Sequence, residues 1–267
     1  RHVLVTAGAT EALAATILAL IDSPDDEIVV FEPFYDSYVA CAALAGANLV
    51  PVPLRWPDFQ PDLDALAAAV TDRTRLILMN DPHNPTGAVF SAEARREIVR
   101  LAELHDALIV TDEVYEHLVF DEPHVPLATL PGAWERTITI SSAGKTFSTT
   151  GWKIGWVTGP AELVTAIETV KQFLTYSGGA PFQPAIATGL RLPDSFFTGI
   201  ATTLAAKRDL LGAGLRQAGL SVSPPGGSYF TVETHIRHLD EVRALEPIVV
   251  TTQVLQGSGK KLHLFNC

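Results

Sequence analysis

Between Val3 and Thr158 short apolar runs alternate with helical segments, and this alternation limits the fold more than any other feature of the sequence. Val3–Thr6, Glu27–Phe31, Asn48–Val52, Arg75–Met79, Ala107–Thr111, Thr137–Ser141 and Ile154–Thr158 read as buried strands. Glu11–Leu20, Tyr35–Ala45, Leu63–Val70 and Ala92–His105 read as the helices between them, with Asp62 and Ser91 as N-caps. Strand–helix alternation of this kind predicts an α/β fold built on a largely parallel sheet. After Gly159-Pro160 the rhythm changes to longer helices, Ala161–Tyr176 and Ser195–Gly219, joined by the glycine- and proline-bearing connection Ser177–Pro184. Ser223–Phe230 then reads as a turn leading into a short strand, the start of a smaller second domain.

Composition removes several classes of function. The 267 residues are 47% hydrophobic and 18% charged, which fits a packed globular protein and not a disordered one. With 30 acidic against 19 basic residues the formal net charge is −11, and no basic cluster interrupts it, so a nucleic-acid surface is not expected. Cys41 and Cys267 are too few for a disulfide framework, which suits a reducing, cytoplasmic setting. No apolar run approaches the roughly 18 residues of a membrane span. There is no signal peptide, and because the chain opens at Arg1 and not at methionine, a preceding segment is expected.

The chemistry-bearing residues fall where predicted strands end. Thr137–Lys153 contains a β-branched run, then small residues, then Lys145, with Lys153 eight positions later. An amine among small residues at a strand end can form an imine with an aldehyde, and a second lysine can neutralise a phosphate. The pair points to covalently held pyridoxal phosphate (PLP), against the bland alternative of two solvated lysines. Thr6-Ala-Gly-Ala-Thr-Glu-Ala-Leu13 turns from strand to helix, so the amides around Ala9 and Thr10 either favour an anion or form an ordinary turn. Asn80-Asp-Pro-His-Asn-Pro-Thr-Gly87 is a proline-stiffened loop at a strand's carboxyl end, able to aim Asn84 into a crevice. In Thr111-Asp-Glu-Val-Tyr-Glu116 the acid at a buried strand end needs a partner. Asp112 can hold a proton on a pyridine nitrogen or cap a helix, and Tyr115 can reach a neighbouring ring oxygen. Phe31-Glu-Pro-Phe-Tyr-Asp-Ser-Tyr38 offers aromatics that either fill the core or stack on a heterocycle. His235 and His238 lack a companion cluster, so no metal is expected. Gln256–Lys261 superficially imitates a phosphate loop, but Val254 stands where its first glycine belongs and Lys261 replaces Ser/Thr, so the segment reads as a loop.

Taken in order, Ala9-Thr10, Tyr35, Asn84, Asp112, Tyr115, Ser142, Lys145 and Lys153 make the chain resemble the fold-type I, class I/II PLP-dependent aminotransferases. The resemblance runs from about Val3 to Phe230. It is strongest to the branch holding N-succinyldiaminopimelate aminotransferases and kynurenine or glutamine transaminases. It implies a three-layer, mostly parallel large domain over residues 1–190 and a partial small α+β domain over 191–267, with 246–267 an atypical tail. It implies that Lys145 binds the cofactor's aldehyde and moves the substrate proton, while Asp112 pairs with the ring nitrogen. Tyr115 and Asn84 bond the ring oxygen, and Ser142, Lys153 and the Ala9–Thr10 backbone hold the phosphate. Tyr35 stacks on one face of the ring and Val114 covers the other.

The implied activity is ping-pong transfer of an amino group between an amino acid and a 2-oxo acid, in a homodimer. Family members carry a further N-terminal segment and an arginine that clamps the substrate carboxylate, and Arg237 and Arg243 do not match that arginine's motif. The alternatives are a PLP-dependent cysteine-conjugate β-lyase, a truncated PLP-binding domain with little or no activity, and a non-catalytic PLP-binding sensor.

Overall fold

The computed structural model describes residues 2–217, 219, 221–223, 225–227, 252–258 and 261–266. Seven strands form one sheet: β1 Val3–Thr6, β2 Glu27–Glu32, β3 Asn48–Pro53, β4 Thr74–Asn80, β5 Leu108–Asp112, β6 Thr137–Ser142 and β7 Gly155–Thr158. Their order is β1-β7-β6-β5-β4-β2-β3. All neighbours pair in parallel except β7, which runs antiparallel to both β1 and β6.

The apolar strand runs are explained by burial on both faces. Alternate residues of one strand serve opposite layers: Ile28 and Val30 of β2 face one core while Val29 and Phe31 face the other. The first layer is covered by α1 Gly8–Leu20, α2 Ser37–Ala45 and α6 Ala161–Lys171; the second by α3 Leu63–Ala69 and α4 Ala92–Leu104. Both predicted caps form. The Asp62 carboxylate accepts from the Asp64 and Ala65 amides, and the Ser91 hydroxyl accepts from the Ala94 amide. The expected three-layer, mostly parallel α/β sheet is therefore present.

Three segments depart from the sequence reading. The helix expected to reach Tyr176 ends at Lys171, where the chain turns back and the Lys171 ammonium donates to the Tyr176 carbonyl at 2.8 Å. The connection Ser177–Pro184 is not all loop, because α7 Gln183–Gly189 begins inside it, with proline in the first turn where its missing N–H costs nothing. The one-turn helix α5 Ala143–Thr146 and the long α8 Asp194–Gln217 complete this unit, Arg1–Phe230. The remaining unit, Thr231–Cys267, contains β8 Thr252–Ser258 paired antiparallel with β9 Lys261–Asn266. That corrects the loop reading at Gln256–Ser258 and at Lys261, which lie in strands. In the sequence Leu262 and Leu264 alternate with Lys261 and His263, a strand-like pattern. The strand expected at Tyr229-Phe230, the histidines His235 and His238, and Arg237 and Arg243 lie outside the described residues. No described helix is long and apolar enough to cross a membrane.

Candidate active site

Parallel strands that end at one edge of a sheet bring their following loops together. Here β1, β2, β4, β5 and β6 deliver Ala7, Tyr35, Asn84, Asp112 and Ser142 to a single cavity of about 610 Å³, within the range of small-molecule sites. All ten residues singled out in the sequence, namely Ala9, Thr10, Tyr35, Asn84, Asp112, Val114, Tyr115, Ser142, Lys145 and Lys153, line it.

At one end sits Asp112, the last residue of β5 and 4% exposed. Its Oδ2 accepts the Tyr38 hydroxyl at 2.8 Å, and its Oδ1 takes only a 3.4 Å contact from the Val114 amide. Burial pushes its carboxyl up to about 6, while Tyr38 and the Val114 amide pull the other way. Tyr38 is itself buried, and burial together with the Asp112 charge raises its phenol well above the ordinary value, so it stays a donor. Asn80 fixes the backbone beside it. Its amide donates to the Asp112 carbonyl at 2.7 Å, and its Oδ1 accepts the Asn84 amide at 2.6 Å, which ties the loop bearing Asn84 to the strand bearing Asp112.

The same loop is locked from behind. Asp81 pairs with Arg95 of α4 at 2.8 Å, both buried, and accepts the Phe90 amide at 3.0 Å. Burial raises the Asp81 carboxyl against the pull of Arg95. His83 contacts the Thr86 hydroxyl through Nδ1 at 2.8 Å, and burial lowers its ring to about 4.

Ser142 ends β6, the strand paired with β5, and Lys145 follows on α5. The Lys145 ammonium lies 5.5 Å from the centroid of the Tyr115 ring. Burial, reinforced by Asp112, raises the Tyr115 phenol, which keeps it protonated. Val114, Tyr115 and Leu118 form a small apolar cluster against Ile200 and Leu204 of α8. Ala9, which lines the cavity, packs on the same cluster.

The remaining end is built from backbone. Gly8 has φ +81°, and a Cβ there would meet the Lys153 side chain at 3.7 Å. Lys153 is itself left-handed, φ 53°, at the close of a short 3-10 turn. Gly155 pairs with Thr6 on one side and Ser142 on the other. A Cβ on Gly155 would fall 2.5 Å from the Gly8 carbonyl carbon and 2.8 Å from the Ala9 nitrogen, so β7 is pressed directly against the first turn of α1. Among the described residues, no group of three or more His, Cys, Asp or Glu is arranged to hold a metal ion.

Among the residues of this site with no role in the sequence reading are Glu11, Tyr38, Asn80 and Gly155. Tyr38 and Asn80 stand inside the quoted motifs, and a buried tyrosine hydroxyl needs a partner, so their types carried a signal. Gly155 at the start of a strand hints at close backbone approach, but which backbone only the sheet order reveals.

Comparison with known proteins bears on the family and the fold. The family model "Aminotransferase class I and II" matches residues 1–254. A probable N-succinyldiaminopimelate aminotransferase, DapC, from Mycobacterium tuberculosis is 53% identical over 233 residues, covering 86% of this chain and 58% of that protein. Kynurenine–oxoglutarate transaminase 3 from Homo sapiens is 40% identical over 250 residues, covering 87% and 55%. The solved N-succinyldiaminopimelate aminotransferase of Mycobacterium tuberculosis superposes with a TM-score of 0.82 at 52% identity, covering 85% of this chain and 60% of that one. YbdL from Escherichia coli, for which a methionine aminotransferase function is described, gives 0.82 at 37% identity over the same shares. The chain thus spans a little over half the length of the curated relatives it matches.

Proposed function

The chain belongs to the class I and II aminotransferases, and from that premise we propose that its cavity binds PLP and moves an amino group between an amino acid and a 2-oxo acid in a ping-pong cycle. Bound PLP supplies an aldehyde and an electron-accepting pyridinium ring, which together acidify the Cα–H of an amino acid. The observation that carries the reading is Asp112, a buried strand-end carboxylate with one oxygen committed to Tyr38, in the same cavity as the amine of Lys145.

The residues fit such a ligand. Asp112 Oδ1 has capacity for a protonated ring nitrogen, and a cation there offsets the cost of keeping the carboxylate charged while buried. Tyr38 orients that carboxylate, and Asn80 holds its backbone. Tyr115 and Asn84 would bond the ring oxygen, and Tyr35 and Val114 would cover the two ring faces. Ser142, Lys153 and the first-turn amides around Ala9 and Thr10 would hold the phosphate, where a helix N-terminus and a lysine both favour an anion. Lys145 would carry the cofactor and, once its amine is free, move the proton at the substrate Cα. The apolar contact of Val114, Tyr115 and Leu118 with α8 keeps water from that side.

Further parts of the proposal follow from the resemblance of the sequence and from its composition. An acyl-diaminopimelate or aromatic amino acid suits the branch, as do a homodimer and a cytoplasmic setting. Residues 1–190 form the cofactor domain and 191–267 the partial small domain.

The test is a panel of amino donors with 2-oxoglutarate and with pyruvate, run on the PLP-loaded chain and on Lys145→Ala. Transfer to an acceptor is expected, with the borohydride-reducible visible band lost in the variant. Pyruvate and ammonia released without an acceptor would instead mark β-elimination. A band that survives dialysis in Lys145→Ala and stays borohydride-reducible would sink the lysine assignment.

A further inference from the structure

We propose that Glu11 is the positioning residue that shapes the phosphate-binding turn, a role that rests on the PLP reading above. The first amides of a helix have no intrahelical partners, and those of α1 belong to residues that line the cavity. Ala7, at the N-cap, has no side chain to satisfy any of them. Glu11 reaches back one turn, and its Oε2 accepts the Ala7 N–H at 2.5 Å. The amide just outside the helix is thereby consumed by the protein, leaving the next ones for a ligand.

A carboxylate is an unexpected choice beside an anion site, because its charge repels the guest. Three features of the turn offset that charge. Glu11 is held by a charge-assisted hydrogen bond, it sits in the first turn where the helix dipole favours a negative group, and Lys153 packs on the same turn at Gly8. What remains must serve geometry. The turn is pinned from three sides: by Glu11 on the Ala7 amide, by the Thr6 hydroxyl donating to the Gly8 carbonyl at 2.9 Å, and by Gly155 against Gly8 and Ala9. Removing the Glu11 clamp frees Ala7 and lets the following amides turn away from the cavity.

A second observation ties this residue to a ligand. Glu11 is 9% exposed and lines the cavity, yet its Oε1 is buried with no hydrogen-bond partner among the described residues. A buried acceptor left unmade is costly, so the site favours a hydrated anion whose water can donate to Oε1.

The experiment compares the affinities of PLP and of pyridoxal, which lacks the phosphate, for the full chain by absorbance titration. Glu11→Ala and Glu11→Asp, the latter too short to reach Ala7 yet still charged, should each lose about tenfold in PLP affinity and leave pyridoxal binding within about twofold, the scale of one hydrogen bond. Glu11→Gln keeps an oxygen for Ala7 and should hold the PLP-to-pyridoxal ratio within about threefold of the parent. Unchanged pyridoxal binding also reports that a variant is folded. The inference falls if Glu11→Ala or Glu11→Asp keeps the parental ratio, or if Glu11→Gln drops as far as they do. A parent chain that binds PLP no better than Lys145→Ala would instead overturn the cofactor reading itself.

Discussion

Tyr38→Phe deletes one hydroxyl, and the cost should depend on pH in a way that packing loss cannot imitate. The hydroxyl donates to Asp112 Oδ2 at 2.8 Å with both side chains buried. Against an ionised carboxylate such a bond contributes about 1.5–3 kcal/mol, and against a neutral one about 1 kcal/mol. Asp112 ionises near 6 in the folded protein and near 3.8 unfolded, about two pH units apart, worth roughly 3 kcal/mol. Its folded value is raised, so this stability is fully present below 3.8 and is lost as pH rises through about 6. Removing the Tyr38 donor raises the folded value further, so the variant loses more over the same climb. For a unit spanning Arg1–Phe230, 1 kcal/mol moves Tm by about 2–4 °C, so 2 kcal/mol predicts a fall of about 4–8 °C near pH 8. Near pH 4.5, where Asp112 is neutral, the fall should shrink to about half that or less. Thermal unfolding of both proteins by circular dichroism at the two pH values decides it. Equal shifts at both would refute the claim that this bond serves a charge.

Gly155→Ala should lower Tm and weaken PLP binding together, because its methyl would sit 2.5 Å from the Gly8 carbonyl carbon. An overpacking cost of about 1–3 kcal/mol is expected, read by urea denaturation alongside a PLP titration. His83→Gln tests the opposite kind of titration. The His83 ring protonates near 4 when folded and near 6.5 when unfolded, so the parent loses stability as pH falls through that window, by roughly 3 kcal/mol. Relative to the parent, the variant's urea midpoint should shift in favour of pH 4.5 over pH 7, and an unchanged difference between the two pH values would show that His83 is not the group responsible.

The sheet and both capped helices were legible because they follow local rules: apolar runs, caps and turn residues. Most of the ten cavity residues were legible because they follow predicted strand ends, which converge in a parallel sheet, whereas Lys153 precedes β7 and was marked by its spacing from Lys145. Tyr38 was harder. It is three residues beyond Tyr35 on the first turn of α2, and its direction toward Asp112, 74 positions later, depends on β2 and β5 flanking β4. The antiparallel β7 was invisible for a related reason. Nothing in Gly155-Trp-Val-Thr158 encodes its direction, yet that direction sets Gly155 beside Thr6 and Ser142. The early end of α6 escaped notice because Phe173, Leu174 and Tyr176 continue an apolar pattern while remaining exposed. An apolar pattern is a weak helix signal when no core receives it.

Asp112 ends β5 and His83 lies on the loop that follows the neighbouring β4, and the two pull stability in opposite directions with pH. Asp112 withdraws stability as pH rises from 3.8 to about 6, and His83 withdraws it as pH falls from 6.5 to about 4. Between about 4 and 6 the two slopes oppose, so the pair together contributes little net pH dependence there. Each group alone is a cost of burial at the carboxyl edge of the sheet, and the loop that bears His83 is fastened to Asp112 through Asn80 and to α4 through the Asp81–Arg95 pair. The consequence is that replacing either group unmasks the other. In His83→Gln the Asp112 slope should emerge, with stability falling as pH rises through 4 to 6. A cation bound against Asp112 should flatten that slope again, because it lowers the carboxyl toward its unfolded value. Saturating the variant with PLP and repeating the urea series tests this. A slope unmoved by the ligand would mean that nothing positively charged docks on Asp112, and the site would need another explanation.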